Sequence, residues 1–182
     1  MIEIKQVKTE DQELYGLLKS WCTRRFCTGT RDTPQQREYS DSNPLFCNNV
    51  IVEDGKPVGM ISYWDMGDLL LYWAFCHRPL PAQRGLRQRV LESIQTKLQG
   101  PIILEVEEPT EEMSIRRINF YKRLNFTLHE KPYMQPPYRT GDSGLPMLLM
   151  TYGDIDMEKD FDKVKNMLYK EVYGQPVWPY TM

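Results

Sequence analysis

Arg84, Arg87 and Arg89 crowd the start of a helical stretch in which the first acidic residue is Glu92. Cations at a helix N-terminus oppose the macrodipole, at roughly 0.3–1 kcal/mol each when exposed. An anion held between the unpaired amides of the first turn and the guanidinium groups reverses that sign, so the cluster suits a phosphate. A solvated basic face is the alternative that spacing alone leaves open. A second feature is the segment PIILEVEEP, where Glu105 and Glu107 interleave with aliphatic residues. Glu107 and Glu108 fit a strand end emerging into solvent; Glu105, deeper in the apolar run, fits that account less well. Other reagents are scarce. His77 and His129 are the two imidazoles, and Cys22, Cys27, Cys47 and Cys76 form no CxxC pair. Neither a metal site nor a Cys/His nucleophile has a signature, and free thiols are expected.

The basic cluster lies in the stretch Leu69 to Val90, around which the rest of the chain is organised. Leu69 to Phe75 is an apolar run suited to a strand buried on both faces. Pro79 and Pro81 break any regular element, and Leu86, Val90, Leu91, Ile94 and Leu98 then mark one face of a helix. Upstream, Ile2, Ile4 and Val7 alternate with charged residues in a first strand, and a helix from Thr9 or Asp11 carries Leu14, Leu17, Leu18 and Trp21. The polar stretch from Cys27 to Asn48 is too long for a simple connection. Asn49–Glu53 and Val58–Tyr63 flank Asp54-Gly55, a pair suited to a type I′ turn, and Met66-Gly67-Asp68 leads into the central strand. A three-strand antiparallel meander is expected.

Downstream, Thr110 to Leu124 forms a helix with Ile115, Ile118, Tyr121 and Leu124 on its face, and Asn125 stands where a left-handed residue closes such a helix. Thr127 onward pairs as a strand with Met147–Tyr152, leaving KPYMQPPYRTGDSGLP between them as a long loop. Asp154 to Val172 forms a last helix whose face is Phe161, Val164, Met167, Leu168 and Val172, followed by an extended tail.

A length of 182 residues suits one domain, and 41% hydrophobic with 26% charged residues is an ordinary soluble composition. A net charge of −2 gives no field to recruit nucleic acid. No signal-peptide core and no membrane-spanning apolar run are present, so a cytoplasmic location is the default.

The order of elements, PAQRG at the central turn and INFYKRLNF on the later helix together resemble the GNAT N-acetyltransferase superfamily, over roughly Met1 to Gly153. INFYKRLNF is similar to the family's Ala-x-x-(Phe/Leu)-Tyr-x-x-x-Gly-Phe segment, with Tyr121 and Phe126 at matching places. The resemblance implies an α+β, acyl-CoA N-acyltransferase-like fold: three layers, with helices flanking a mixed, mostly antiparallel central sheet. Residues 1–153 form the domain; the helix and tail of 154–182 are an addition that packs on it or on a partner.

The implied chemistry is transfer of an acetyl group from acetyl-CoA, without a metal, to a primary amine by direct attack. The acceptor is a small-molecule or peptide amine, and a homodimer is compatible with the family. Leu104-Glu105-Val106-Glu107 is similar to the Leu-Glu-Val-Arg strand of relatives that acetylate protein N-termini, so Glu105 stands as base and Tyr121 as acid. The backbone of Phe75, Cys76 and His77 would hold the pantetheine, and Gln83, Arg84, Gly85, Leu86, Arg87 and Arg89 the pyrophosphate. Ser114 aligns with the family's asparagine before the tyrosine. The pyrophosphate loop, (Gln/Arg)-x-x-Gly-x-(Gly/Ala), places both its small residues on arginines, Arg87 and Arg89. Three readings follow: the arginines bind phosphate with their side chains, which the clash between arginine and helix dipole favours; Gly85 serves in a shifted register; or this copy has lost the cofactor, and the alternative function is a catalytically silent binding or sensing module. Acceptor specificity is expected in Thr28–Asn48 and Lys131–Leu145, with Tyr133 and Tyr138 as pocket candidates.

Overall fold

The computed structural model describes residues 2–8, 10–23, 42–67, 69–77, 85–97, 100–137 and 143–175. The chain divides into two compact units, Met1–Arg31 with Pro44–Gln99 and Asp32–Asn43 with Gly100–Met182.

In the first unit, β1 (Ile2–Gln6), β2 (Phe46–Glu53), β3 (Lys56–Asp65) and β4 (Leu70–His77) pair antiparallel in that order. Asp54 and Gly55 both take positive φ, 51° and 77°, as the type I′ hairpin requires. Helix α1 (Gln12–Thr23) starts where expected because the Asp11 carboxylate accepts the Leu14 amide at 3.2 Å, an N-cap bond. Its Leu18 and Trp21 pack with Val7, Val50, Val52 and Met60. Helix α2 (Leu86–Lys97) buries Leu86, Val90, Leu91 and Ile94 of the face read from the sequence, whose last member, Leu98, lies outside the described residues.

In the second unit, β7 (Leu145–Tyr152) lies between β5 (Ile102–Glu107) and β6 (Thr127–Gln135), antiparallel to both. Here the long loop expected from Lys131 is corrected: the strand continues to Gln135. Its pairing jumps from His129↔Leu149 to Tyr133↔Met147, so Glu130, Lys131 and Pro132 stand opposite Leu148 alone. Pro132 has no amide to give the ladder and falls inside this bulge, where none is needed. Helix α3 (Glu112–Lys122) buries Ser114, Ile118 and Tyr121, while Ile115, assigned to the inner face from its spacing, is 43% exposed. Helix α4 (Met157–Met167), capped by Asp156, runs into a π-helical turn, Leu168–Val172. No helix among the described residues is long and apolar enough to cross a membrane.

Candidate active site

The β6 bulge determines what meets Glu105. On β7, Leu149 and Met147 share a face, and Leu149 pairs with Glu105 while Met147 pairs with Tyr133. The two extra residues in β6 thus bring Tyr133, rather than Lys131, opposite Met147, on the face that carries Glu105. Gln135, opposite Leu145, follows on the same face. Both side chains reach over β7 to the carboxylate. Tyr133 Oη donates to Glu105 Oε1 at 2.6 Å, and Gln135 Nε2 donates to Oε2 at 3.2 Å. The third donor comes from just beyond the π-helical turn: Tyr173 Oη lies 2.9 Å from Oε1 and 2.7 Å from Oε2.

All three donors are neutral. Glu105 keeps some solvent access as a residue, yet its carboxyl is surrounded by protein, and this burial pushes its pKa above the ordinary 4.5. The bonds from Tyr133, Tyr173 and Gln135 oppose the shift without cancelling it. A carboxylate in this setting favours either a proton or an incoming cation.

Tyr121 is not among the described partners of Glu105. Its position follows from the end of α3. Asn125 takes φ 63°, its amide bonds to Lys122 O at 3.1 Å, and the Phe126 amide reaches back to Tyr121 O at 3.1 Å. These are the two bonds of a Schellman motif, and its accompanying apolar contact is Tyr121 against Phe126, ring centroids 5.6 Å apart. The tyrosine and phenylalanine of INFYKRLNF are therefore one structural device, extended by Tyr152, whose ring centroid lies 5.6 Å from that of Phe126. The Ser114 hydroxyl serves the other end of α3, donating to Glu111 O at 2.8 Å and accepting the Glu111 amide at 3.2 Å.

At the start of α2, Gly85 takes φ 76°, a conformation that L side chains rarely adopt, and its carbonyl accepts the Arg89 amide at 3.1 Å. Among the described residues, a Cβ there would meet nothing within 4 Å. The first turn of α2 holds no acidic residue, and Arg87 on it is part-buried. Arg89 has an internal partner instead: Nη1 lies 2.5 Å from Glu53 Oε1 of β2. Its charge therefore does not need an external anion. Leu86, 1% exposed, is a core side chain. Phe75, Cys76 and His77 end β4, paired in register with Ile61, Met60 and Gly59. Gln83, Arg84 and Tyr138 lie outside the described residues, as does most of Thr28–Asn48.

No protein-family model and no curated protein matches the chain. Among solved structures, a protein from Bacteroides thetaiotaomicron described as an acetyltransferase of the GNAT family is 40% identical, with a TM-score of 0.86 over 94% of this chain and 98% of that one. The chain belongs to the GNAT family. More distant GNAT-like folds include the ribosomal-protein-S18-alanine N-acetyltransferase of Escherichia coli, 16% identical with a TM-score of 0.56 over 83% of this chain and 92% of that one. A Bacillus subtilis acetyltransferase solved in complex with CoA is 12% identical, with a TM-score of 0.54 over 85% of this chain and 100% of that one.

Among the described residues nominated from the sequence of this GNAT protein, Glu105 stands in a built polar environment of three side-chain donors. Tyr173, Gln135 and the bond from Tyr133 to Glu105 were missed. The signal for them was thin: Tyr133 and Gln135 share the two-residue period of a strand face, and Tyr169 and Tyr173 the four-residue step of a helix face.

Proposed function

We propose that this GNAT protein transfers an acetyl group from acetyl-CoA to a primary amine by direct attack, with Glu105 as base and Tyr121 as acid. The observation that carries the proposal is the Glu105 carboxylate, surrounded by protein, satisfied by three neutral donors and without a cation among its described partners. The ammonium group of an acceptor supplies the missing charge. Its raised affinity for protons then suits Glu105 to take one from nitrogen, exposing the lone pair that attacks.

When bound, acetyl-CoA supplies the thioester carbonyl and the thiolate that departs as the N–C bond forms and the C–S bond breaks. Tyr121 is the family's donor for that thiolate. The residues that fit the pyrophosphate are Gly85, through its left-handed turn and the α2 amides, and Arg87 beside them. This favours the shifted-register use of Gly85 over a site built from Arg89. Gly85→Ala forces a side chain into a conformation that costs roughly 1–2 kcal/mol, so acetyl-CoA binding should weaken about tenfold by calorimetry.

The test is a thermal shift with acetyl-CoA, followed by CoA-thiol release in the presence of primary amines. A ligand that binds the native state alone raises its stability by mass action. Tyr121→Phe keeps the ring and its contact with Phe126, so it should retain the shift while release falls by about 10²-fold. Absence of any shift at millimolar acetyl-CoA would overturn the proposal and leave a silent module.

A further inference from the structure

The three donors around Glu105 do not fill it. A carboxylate offers about four lone-pair sites, two on each oxygen. Tyr133 occupies one on Oε1 and Gln135 one on Oε2. Tyr173 lies within hydrogen-bond distance of both oxygens, at 2.9 and 2.7 Å, but a phenol has a single proton to give. One lone-pair site is therefore always left over, and it can stand on either oxygen.

The C-terminal segment is built to hold Tyr173 there. The π-helical turn forms because the Tyr173 amide bonds to Leu168 O, five residues back, at 3.3 Å. Such turns are rare and favour functional positions. Four residues before Tyr173, the Tyr169 hydroxyl donates to Met134 O at 2.7 Å, on the strand between Tyr133 and Gln135. Its ring lies 5.8 Å from that of Tyr133. Leu168 and Val172 are fully buried and Tyr173 is 7% exposed, so the turn is anchored in the core.

We propose that Tyr173 is a positioning residue for the base: its one proton moves between the two oxygens of Glu105, keeping the carboxylate satisfied while a single N–H of the acceptor takes the remaining site. This rests on the acetyl-transfer function proposed above and narrows its acceptor. A primary ammonium can present one N–H to one oxygen, whereas a guanidinium in its two-pronged geometry needs a site on each oxygen at once. The acceptor class is thus an alkylammonium, and guanidinium compounds are poor ligands until Tyr173 is removed.

Among the described residues, the titratable groups facing the carboxylate are Tyr133 from β6 and Tyr169 and Tyr173 from the C-terminal segment. Tyr173→Phe deletes one bond to the ionised form and keeps the ring. Three measurements decide the matter: carboxyl-carbon NMR titration of Glu105, amine-dependent CoA release, and inhibition by guanidinium ion. In Tyr173→Phe the Glu105 midpoint should rise, kcat should fall roughly tenfold with acetyl-CoA affinity unchanged, and guanidinium should inhibit several-fold more strongly. An unchanged midpoint, or a raised midpoint with unchanged kcat and guanidinium inhibition, overturns the role of Tyr173. If the wild-type protein binds acetyl-CoA and releases no CoA with any amine, acetyl transfer itself is refuted, whatever the NMR titration gives.

Discussion

Glu105→Gln should lower amine-dependent CoA release by about 10²–10⁴-fold, the usual weight of a positioned general base. The amide keeps an oxygen for the hydroxyls of Tyr133 and Tyr173 but cannot take a proton from an ammonium group. Acetyl-CoA affinity should not change, because no role in holding the pyrophosphate falls on Glu105. Stability at neutral pH should hold or rise. The folded state raises the carboxyl above its ordinary 4.5, so Glu105 favours folding most below that value. That contribution fades as pH climbs from 4.5 through the raised folded value and is gone above it. At neutral pH the ionised side chain carries its desolvation cost, which glutamine avoids. Denaturant midpoints followed against pH should therefore show a downward slope over this window in the wild type and a flatter line in the variant.

Phe126→Ala should be the most damaging single change in the INFYKRLNF segment, costing about 3–5 kcal/mol by urea denaturation. Phe126 is 3% exposed, and its ring lies 5.6 Å from those of both Tyr121 and Tyr152. Truncation opens a cavity and removes the apolar half of the Schellman closure, so the end of α3 loosens and Tyr121 with it. Activity should fall further than in Phe126→Leu, which fills most of the space and should cost about 1–2 kcal/mol. Equal stability of the two variants would show that the motif is not held in the way its rings and backbone bonds indicate.

Much of the fold was legible because its signals are local. Asp54-Gly55 names its own turn, Asn125 names its own helix end, and the apolar face of α2 repeats within a dozen residues. The failures have local causes as well. Pro132 inside a tyrosine-bearing stretch reads as loop, since nothing in the sequence tells a proline placed in a bulge from one that ends a strand. Ile115 was put on the inner face of α3, whereas Ser114 turns inward there and spends its hydroxyl on the backbone of Glu111. Of the polar cluster around Glu105, one residue was legible. Glu105 drew attention as a carboxylate in an apolar run, but its donors lie 28, 30 and 68 residues away, brought together by a bulge and a π-helical turn that no period encodes. The ion pair of Arg89 was hidden for the same reason. Its partner Glu53 is 36 residues distant, so a charge that looked unmatched along the helix is matched across the unit.

The most direct test of Glu105 as the base is kcat/KM for acetylation of a primary amine as a function of pH, measured on the wild type and on Glu105→Gln. The wild type should show an acid limb with its midpoint above 4.5, where the carboxyl gives up its proton, and the variant should lack that limb at a much lower rate. Profiles of the same shape and height in the two proteins would contradict the assignment.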